Sequence, residues 1–229
     1  MMTIRIVDVT DDASFRLVPP CADPGFDHRS CDYWEDADRG SKAARLSWLE
    51  ATPAPAPATT RPANPFGAGD EPAFNPFAPA PRAGPSVAGD APPKLRLLGR
   101  GLAVFGSYAK VLLDGDEAAA YAQFGPLSAY PRALRTRELY PALPQSPLPA
   151  VITCIATTAA ARDRGLAAML AEAVCDDLAG RGFAAVEVYP EVGARADATS
   201  AATPAFWEPL GFRVAAADDR FPVLRRELA

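Results

Sequence analysis

The chain has 229 residues and a formal net charge of −5. That length accommodates one domain of roughly 150 to 200 residues plus an accessory stretch, and an acidic balance without a basic stripe argues against nonspecific nucleic-acid binding. Hydrophobic residues make up 49%, enough for a sizeable core, yet no apolar run reaches the ~18 residues of a membrane helix. Neither a nucleic-acid nor a membrane partner is expected. Basic charge rests on arginine, with lysine only at Lys42, Lys94 and Lys110; together with heavy alanine use this fits a GC-rich genome. The opening residues lack the charged and apolar regions of a signal peptide. Four cysteines (Cys21, Cys31, Cys154 and Cys175) are too few for a disulfide scaffold. The expected location is the cytoplasm.

Thr3–Val9 alternates like a first strand. A helix is expected over Asp38–Glu50, with Ala43, Leu46 and Leu49 toward a core. Between Thr52 and Pro93 twelve prolines interrupt any periodicity, which excludes a regular helix or central strand. Residues 52–93 read as a flexible or polyproline-like insertion that separates an N-terminal part, residues 1–51, from a main domain, residues 94–229. Its repeated tripeptides, Asn64-Pro65-Phe66 and Asn75-Pro76-Phe77, read as chance recurrence in a biased stretch. Tyr108–Leu113 and Ala118–Phe124 flank Asp114-Gly115-Asp116, a hairpin signature. Ser128–Pro149 reads as a short helix and loop.

The last third is the most regular. Ala150–Thr157 is a buried strand, and Gly165–Arg181 a helix with Leu166, Met169, Leu170, Ala173, Val174 and Leu178 at helical spacing. Gly182 ends it. Phe183–Tyr189 is the next strand. Thr203 and Pro204 open a short helix as N-cap and first residue, and Pro222–Leu228 forms a final strand. Strand, helix and strand form a right-handed crossover unit.

The turn between strand and helix carries the chemistry. In Arg162-Asp163-Arg164-Gly165-Leu166-Ala167 a helix begins at once, and a helix start presents unpaired amides and partial positive charge. Such a start suits a phosphate or pyrophosphate. Small Gly165 and Ala167 let a ligand approach the backbone, and Arg162 and Arg164 can add charge-assisted contacts. An ordinary strand–turn–helix remains the alternative.

With the order of elements added, the sequence resembles the GNAT superfamily of N-acetyltransferases. Arg162, Gly165 and Ala167 match the specified positions of its coenzyme-A motif, Gln/Arg-x-x-Gly-x-Gly/Ala. Phe206-Trp207-Glu208-Pro209-Leu210-Gly211-Phe212 matches a second element, Phe-Tyr-x-x-x-Gly-Phe. The resemblance covers about Tyr108 to Leu228. It implies an α+β, three-layer architecture: a mixed, strongly twisted sheet, splayed between its fourth and fifth strands, with helices on both faces. It also implies acetyl-CoA as acyl donor. Backbone groups near Ile155 and Thr157 would pair with the pantetheine arm, and amides from Arg162 through Asp163, Leu166 and Ala167 to Ala168 would hold the pyrophosphate. The family often dimerises, which leaves a homodimer open.

The sequence departs from the family at one expected acid. The usual Tyr falls on Trp207, which the resemblance places at the coenzyme but whose indole N–H has no accessible acidity; Tyr189 is a substitute. For the base, Glu187 shares a strand face with Tyr189; a solvated carboxylate is the alternative, and Glu191 and Glu117 are weaker candidates. Cys21, His28 and Cys31 lie within eleven residues, and zinc favours such ligands, but the spacing is no standard finger and a fourth ligand is lacking. The same loop, with Tyr33 and Trp34, can instead shape an acceptor pocket. The expected function is therefore transfer from acetyl-CoA to a small-molecule or protein amine. A non-catalytic acyl-CoA sensor on the same scaffold is the alternative, and a metal- or thiol-dependent protein a remoter one.

Overall fold

A computed structural model of the chain describes residues 3–21, 27–35, 90–190, 192, 203–219 and 221–228. The expected helix over Asp38–Glu50, Glu191, both Asn-Pro-Phe tripeptides and nearly all of the proline-rich stretch lie outside the described residues.

Among the described residues seven strands form one sheet in the order β1-β2-β3-β4-β5-β7-β6. They are β1 (Ile4–Asp8), β2 (Ala109–Asp114), β3 (Glu117–Pro126), β4 (Ala150–Thr157), β5 (Ala185–Val188), β6 (Arg213–Ala216) and β7 (Val223–Glu227). Every pair is antiparallel except β4–β5. The β2–β3 hairpin turns at Gly115, whose φ of 64° lies in the left-handed region glycine tolerates. Both hairpin strands are nearly continuous runs of buried residues, as befits a sheet covered on two faces.

Among the described residues six helices flank the sheet: α1 (Asp12–Phe15), α2 (Pro93–Gly99), α3 (Leu102–Phe105), α4 (Pro131–Glu138), α5 (Leu166–Gly180) and α6 (Pro204–Trp207). On one face α5 lays Leu166, Leu170, Val174 and Leu178 against Leu112, Phe124, Ile152 and Val186. Each such side chain contributes about 1.5–3 kcal/mol by leaving water. Met169, expected in this stripe, is instead 47% exposed; one residue before Leu170, it is turned about 100° away from the buried ridge. At the helix end Phe183 donates its amide to the Leu178 carbonyl (3.1 Å) and Gly182 to that of Ala179 (2.9 Å). This Schellman closure uses the left-handed Gly182, φ 86°.

The opposite face is covered by α1 and α2, which bury Phe15, Leu95 and Leu98 against Val111, Leu113 and Tyr121. Leu127, Tyr130 and Ala133, reaching into α4, pack on Val151 beside them. Helices α2 and α3 and strand β6 carry no signal strong enough to be expected from the sequence. Each is at most seven residues long, and β6 is largely exposed. Thr203 does stand at the N-cap of α6, with Pro204 first in the helix, but it makes no side-chain capping bond.

Candidate functional site: the open flank of β4

Strand β4 is held along its β3 side from Ala150 to Thr157, whereas β5 meets it only at Ala150↔Val186 and Val151↔Glu187. Two local features part the strands there. In the β3–β4 ladder Cys154 opposes Gln123 while Ile152 opposes Phe124, so Thr153 is an inserted bulge residue. A bulged strand bends and twists away from its former line. On the other side β5 ends at Val188, two residues before Pro190, which has no amide to donate.

The part of β4 beyond the bulge thus presents an edge with no described strand beside it. Thr158 donates its amide to the Ala119 carbonyl, on the β3 side, at 2.9 Å. Backbone polar groups alternate sides along a strand. Those of Ile155 and Thr157 therefore face the open flank, although the Ile155 side chain is buried in the core.

The open flank leads into the start of α5. Gly165 is the N-cap, with φ 74° and ψ 4°, and no side chain caps the helix. No acidic residue occupies the first turn, so its amides keep their positive character. A Cβ added at Gly165 would meet no atom within 4 Å; the space above this glycine is open. Asp163, with φ 59°, is the non-glycine residue in the left-handed region among those described, and it sharpens the same turn. Arg162, Asp163 and Arg164 are exposed, Leu166 and Ala167 are buried, and Ala168 is half-buried. Arg164 pairs with Asp114 at 2.5 Å, fastening the turn to the end of β2 and competing with any phosphate for that guanidinium.

Glu187 stands at the apex of the opening. It is 0% exposed, which overturns the solvated-carboxylate reading. Arg137 donates to Oε2 from Nε (3.0 Å) and to Oε1 from Nη2 (3.4 Å); Arg225 donates to Oε1 at 3.1 Å, and Tyr189 to Oε2 at 2.9 Å. Four donors fill the roughly four lone-pair positions of an ionised carboxylate. That placement does not suit a general base; it makes Glu187 the knot that ties β5 to α4 and β7. Burial, and next the Glu187 charge, raise the Tyr189 phenol well above its usual 10, and its proton is engaged on Glu187. Trp207 is 2% exposed, with Phe206 and Phe212 each 4.9 Å away between ring centres. The indole belongs to the core and offers no surface to a ligand, contrary to its expected place at the coenzyme. Glu117 is exposed at the start of β3.

Among the described residues, which include Cys21, His28 and Cys31, no three His, Cys, Asp or Glu side chains gather as ligands. His28 is buried against Tyr121, ring centres 5.1 Å apart, with Nδ1 3.6 Å from Cys154 Sγ. The loop instead packs onto the α2–α4 face: Arg132 lies 4.5 Å over the Tyr33 ring, and Trp34 lies 6.2 Å from Tyr189. Just after it, Glu35 Oε1 accepts from Lys94 of α2 and Gln123 of β3. Glu35, Lys94, Gln123, Arg137 and Arg225 were invisible to sequence reasoning, because partners 38 to 88 residues apart leave no local pattern.

The architecture is GNAT-like: one mixed sheet, helices on both faces, and a single parallel pair that opens beyond its first two positions. No family model matches the sequence, and no curated protein matches it. Among solved structures, the chain is similar to a putative N-acetyltransferase from Lactobacillus plantarum (20% identity, 53% of this chain and 68% of that one, TM-score 0.37). It is also similar to the ribosomal-protein-S18-alanine N-acetyltransferase from Escherichia coli (19%, 53% and 68%, TM-score 0.36). A third is Ard1 from Thermoplasma volcanium (12%, 54% and 72%, TM-score 0.38). Among the described residues no helix is long and apolar enough to cross a membrane.

Proposed function

We propose that this chain is an acyl-CoA-dependent N-acyltransferase, with acetyl-CoA as donor and a primary amine as acceptor. The observation that carries the proposal is the open flank of β4 leading to an uncapped helix start. The flank offers Ile155 and Thr157 backbone groups to the amides of an extended pantetheine arm, in the manner of an added strand. The first-turn amides of α5, from Leu166 to Ala168, suit a pyrophosphate, with exposed Arg162 beside them. In the reaction the amine nitrogen attacks the thioester carbonyl carbon; a C–N bond forms, the C–S bond breaks, and the thiolate leaves. The nitrogen's surplus proton passes to solvent or to the departing sulfur. Glu187 acts as a positioning residue, and the acceleration comes chiefly from holding two reactants together.

Titration calorimetry with acetyl-CoA tests the coenzyme half: no heat and no thermal shift at millimolar coenzyme rules it out. Release of coenzyme thiol in the presence of an amine panel tests transfer. A second reading, a non-catalytic acyl-CoA sensor, is favoured by buried Trp207 at the usual acid position and by the saturated carboxylate of Glu187. Coenzyme binding without thiol release over the whole panel selects it.

A further inference from the structure

Strand β4 carries a thiol beside the open flank. Cys154 stands one residue beyond the bulge and opposes Gln123 of β3. Its side chain leaves the sheet on the face covered by α1 and α2, packed against the cluster that holds Tyr121. Ile155, next in the strand, points the other way, into the α5 core. His28 meets the thiol on its own face: the ring is buried, and Nδ1 lies 3.6 Å from Cys154 Sγ. The Tyr121 ring, 5.1 Å from the imidazole between centres, is close enough for a cation–π contact once that imidazole is protonated. Gln123, Tyr121 and His28 are all buried, yet Cys154 keeps part of its surface. Strand β3 covers one side of it and His28 another, so that surface opens on the flank where β4 has no described strand beside it. No third ligating side chain joins the pair among the described residues. A thiol and an imidazole at hydrogen-bond distance are the parts of an activated nucleophile.

We infer that Cys154 accepts acyl groups from thioesters, with His28 as its base. With its own proton on Nε2, His28 takes the thiol proton at Nδ1. Sγ then attacks the thioester carbonyl carbon. A C–S bond to Cys154 forms, the donor's C–S bond breaks, and the donor's sulfur leaves with the proton from His28. One thioester replaces another, so no oxidant or reductant is needed. An added strand lies about 4.8 Å from β4, and a group opposite Cys154 lies about 4.5–5.5 Å from its Cβ, within reach of the sulfur one bond further out. A pantetheine arm laid from the start of α5 past Thr157 and Ile155 runs toward the apex at Glu187 and brings its acyl end alongside Cys154. Delivery by acetyl-CoA rests on the acyltransferase reading; the thiol site itself does not.

The full chain is incubated without any amine, once with acetyl-CoA and once with S-acetyl-N-acetylcysteamine, a thioester that lacks the nucleotide. Peptide mass mapping then locates the acetyl group. Both donors should acetylate Cys154 ahead of Cys21 and Cys31, and Cys154→Ala should remove that product. His28→Asn should slow Cys154 by about tenfold at neutral pH, where an unaided thiol is only a few per cent ionised, and leave the rate at Cys21 unchanged. His28 is buried, so where that variant does not fold, mapping of wild type with Cys154→Ala as the blank decides the matter. Acetylation of Cys21 or Cys31 ahead of Cys154 overturns the inference, as does an unchanged Cys154 rate in folded His28→Asn. Acetyl-CoA heat in calorimetry with no acetylation by either donor removes the thiol site and leaves the coenzyme reading standing. Acetylation of Cys154 by the small thioester, with neither heat nor acetylation from acetyl-CoA, keeps the thiol site and removes the acyltransferase reading.

Discussion

On its β3 flank β4 is paired at seven positions, whereas on its β5 flank it is paired at two. The first flank is backed by α5, whose Leu170, Val174 and Leu178 are fully buried. The second is closed only at its base, where Glu187, Arg137, Arg225 and Tyr189 form a buried ionic knot. The contrast shows how a sheet can be stable and still keep backbone groups available. Apolar packing supplies stability where the ladder is complete, and a polar knot fixes the angle where the ladder stops.

The knot gives the largest expected effect. Glu187→Ala leaves the buried Arg137 guanidinium without its counter-ion and Arg225 with Glu227 alone, and should destabilise the fold by about 3–5 kcal/mol, read from denaturant unfolding. If the knot also fixes the splay, a variant kept folded at low temperature loses coenzyme affinity as well. Leu170→Ala, on the complete flank, should cost about 2–5 kcal/mol by opening a cavity, and coenzyme affinity should survive in the folded fraction. Equal loss of affinity in both variants would break the distinction between the flanks.

Gly165→Val has a smaller effect on stability, about 1–2 kcal/mol from the left-handed backbone, but its side chain fills the open space above the helix start. Acetyl-CoA heat should vanish while circular dichroism keeps the native spectrum.

Asp177 joins α5 to β2, pairing with Lys110 at 2.7 Å and with Arg181 at 2.5 Å. Burial works to raise its pKa, but the hydrogen bonds from Arg181 and Lys110 outweigh that and hold the carboxyl below its ordinary 3.8. A depressed acid pKa stabilises the fold above the unfolded value, and that contribution fades as pH falls through the lower folded value. Asp177→Asn should therefore cost about 1 kcal/mol at neutral pH, and the difference from wild type should shrink below pH 3.8. The mildest test concerns Cys175, buried on α5, whose thiol burial pushes up to about 11. Iodoacetamide at neutral pH should label half-buried Cys21 and Cys31 well before Cys175.

Much of the frame is legible without coordinates. Ala150–Thr157 is delimited by its apolar run, α5 by its helical stripe and Gly182, and the hairpin by Asp114-Gly115-Asp116, because each is specified by neighbours in sequence. The turn into α5 is legible for the same reason: small residues at a helix start are local features, and the structure adds that Gly165 is left-handed. What the tertiary structure alone decided is which side chains share an environment. Glu187 looks like an open-face carboxylate until Arg137 and Arg225 arrive from α4 and β7. Trp207 looks like a ligand contact until Phe206 and Phe212 enclose it. Glu35 has no signature at all until Lys94 and Gln123 converge on one of its oxygens. Charge pairing and burial act through space over tens of residues, so composition and spacing carry no record of them.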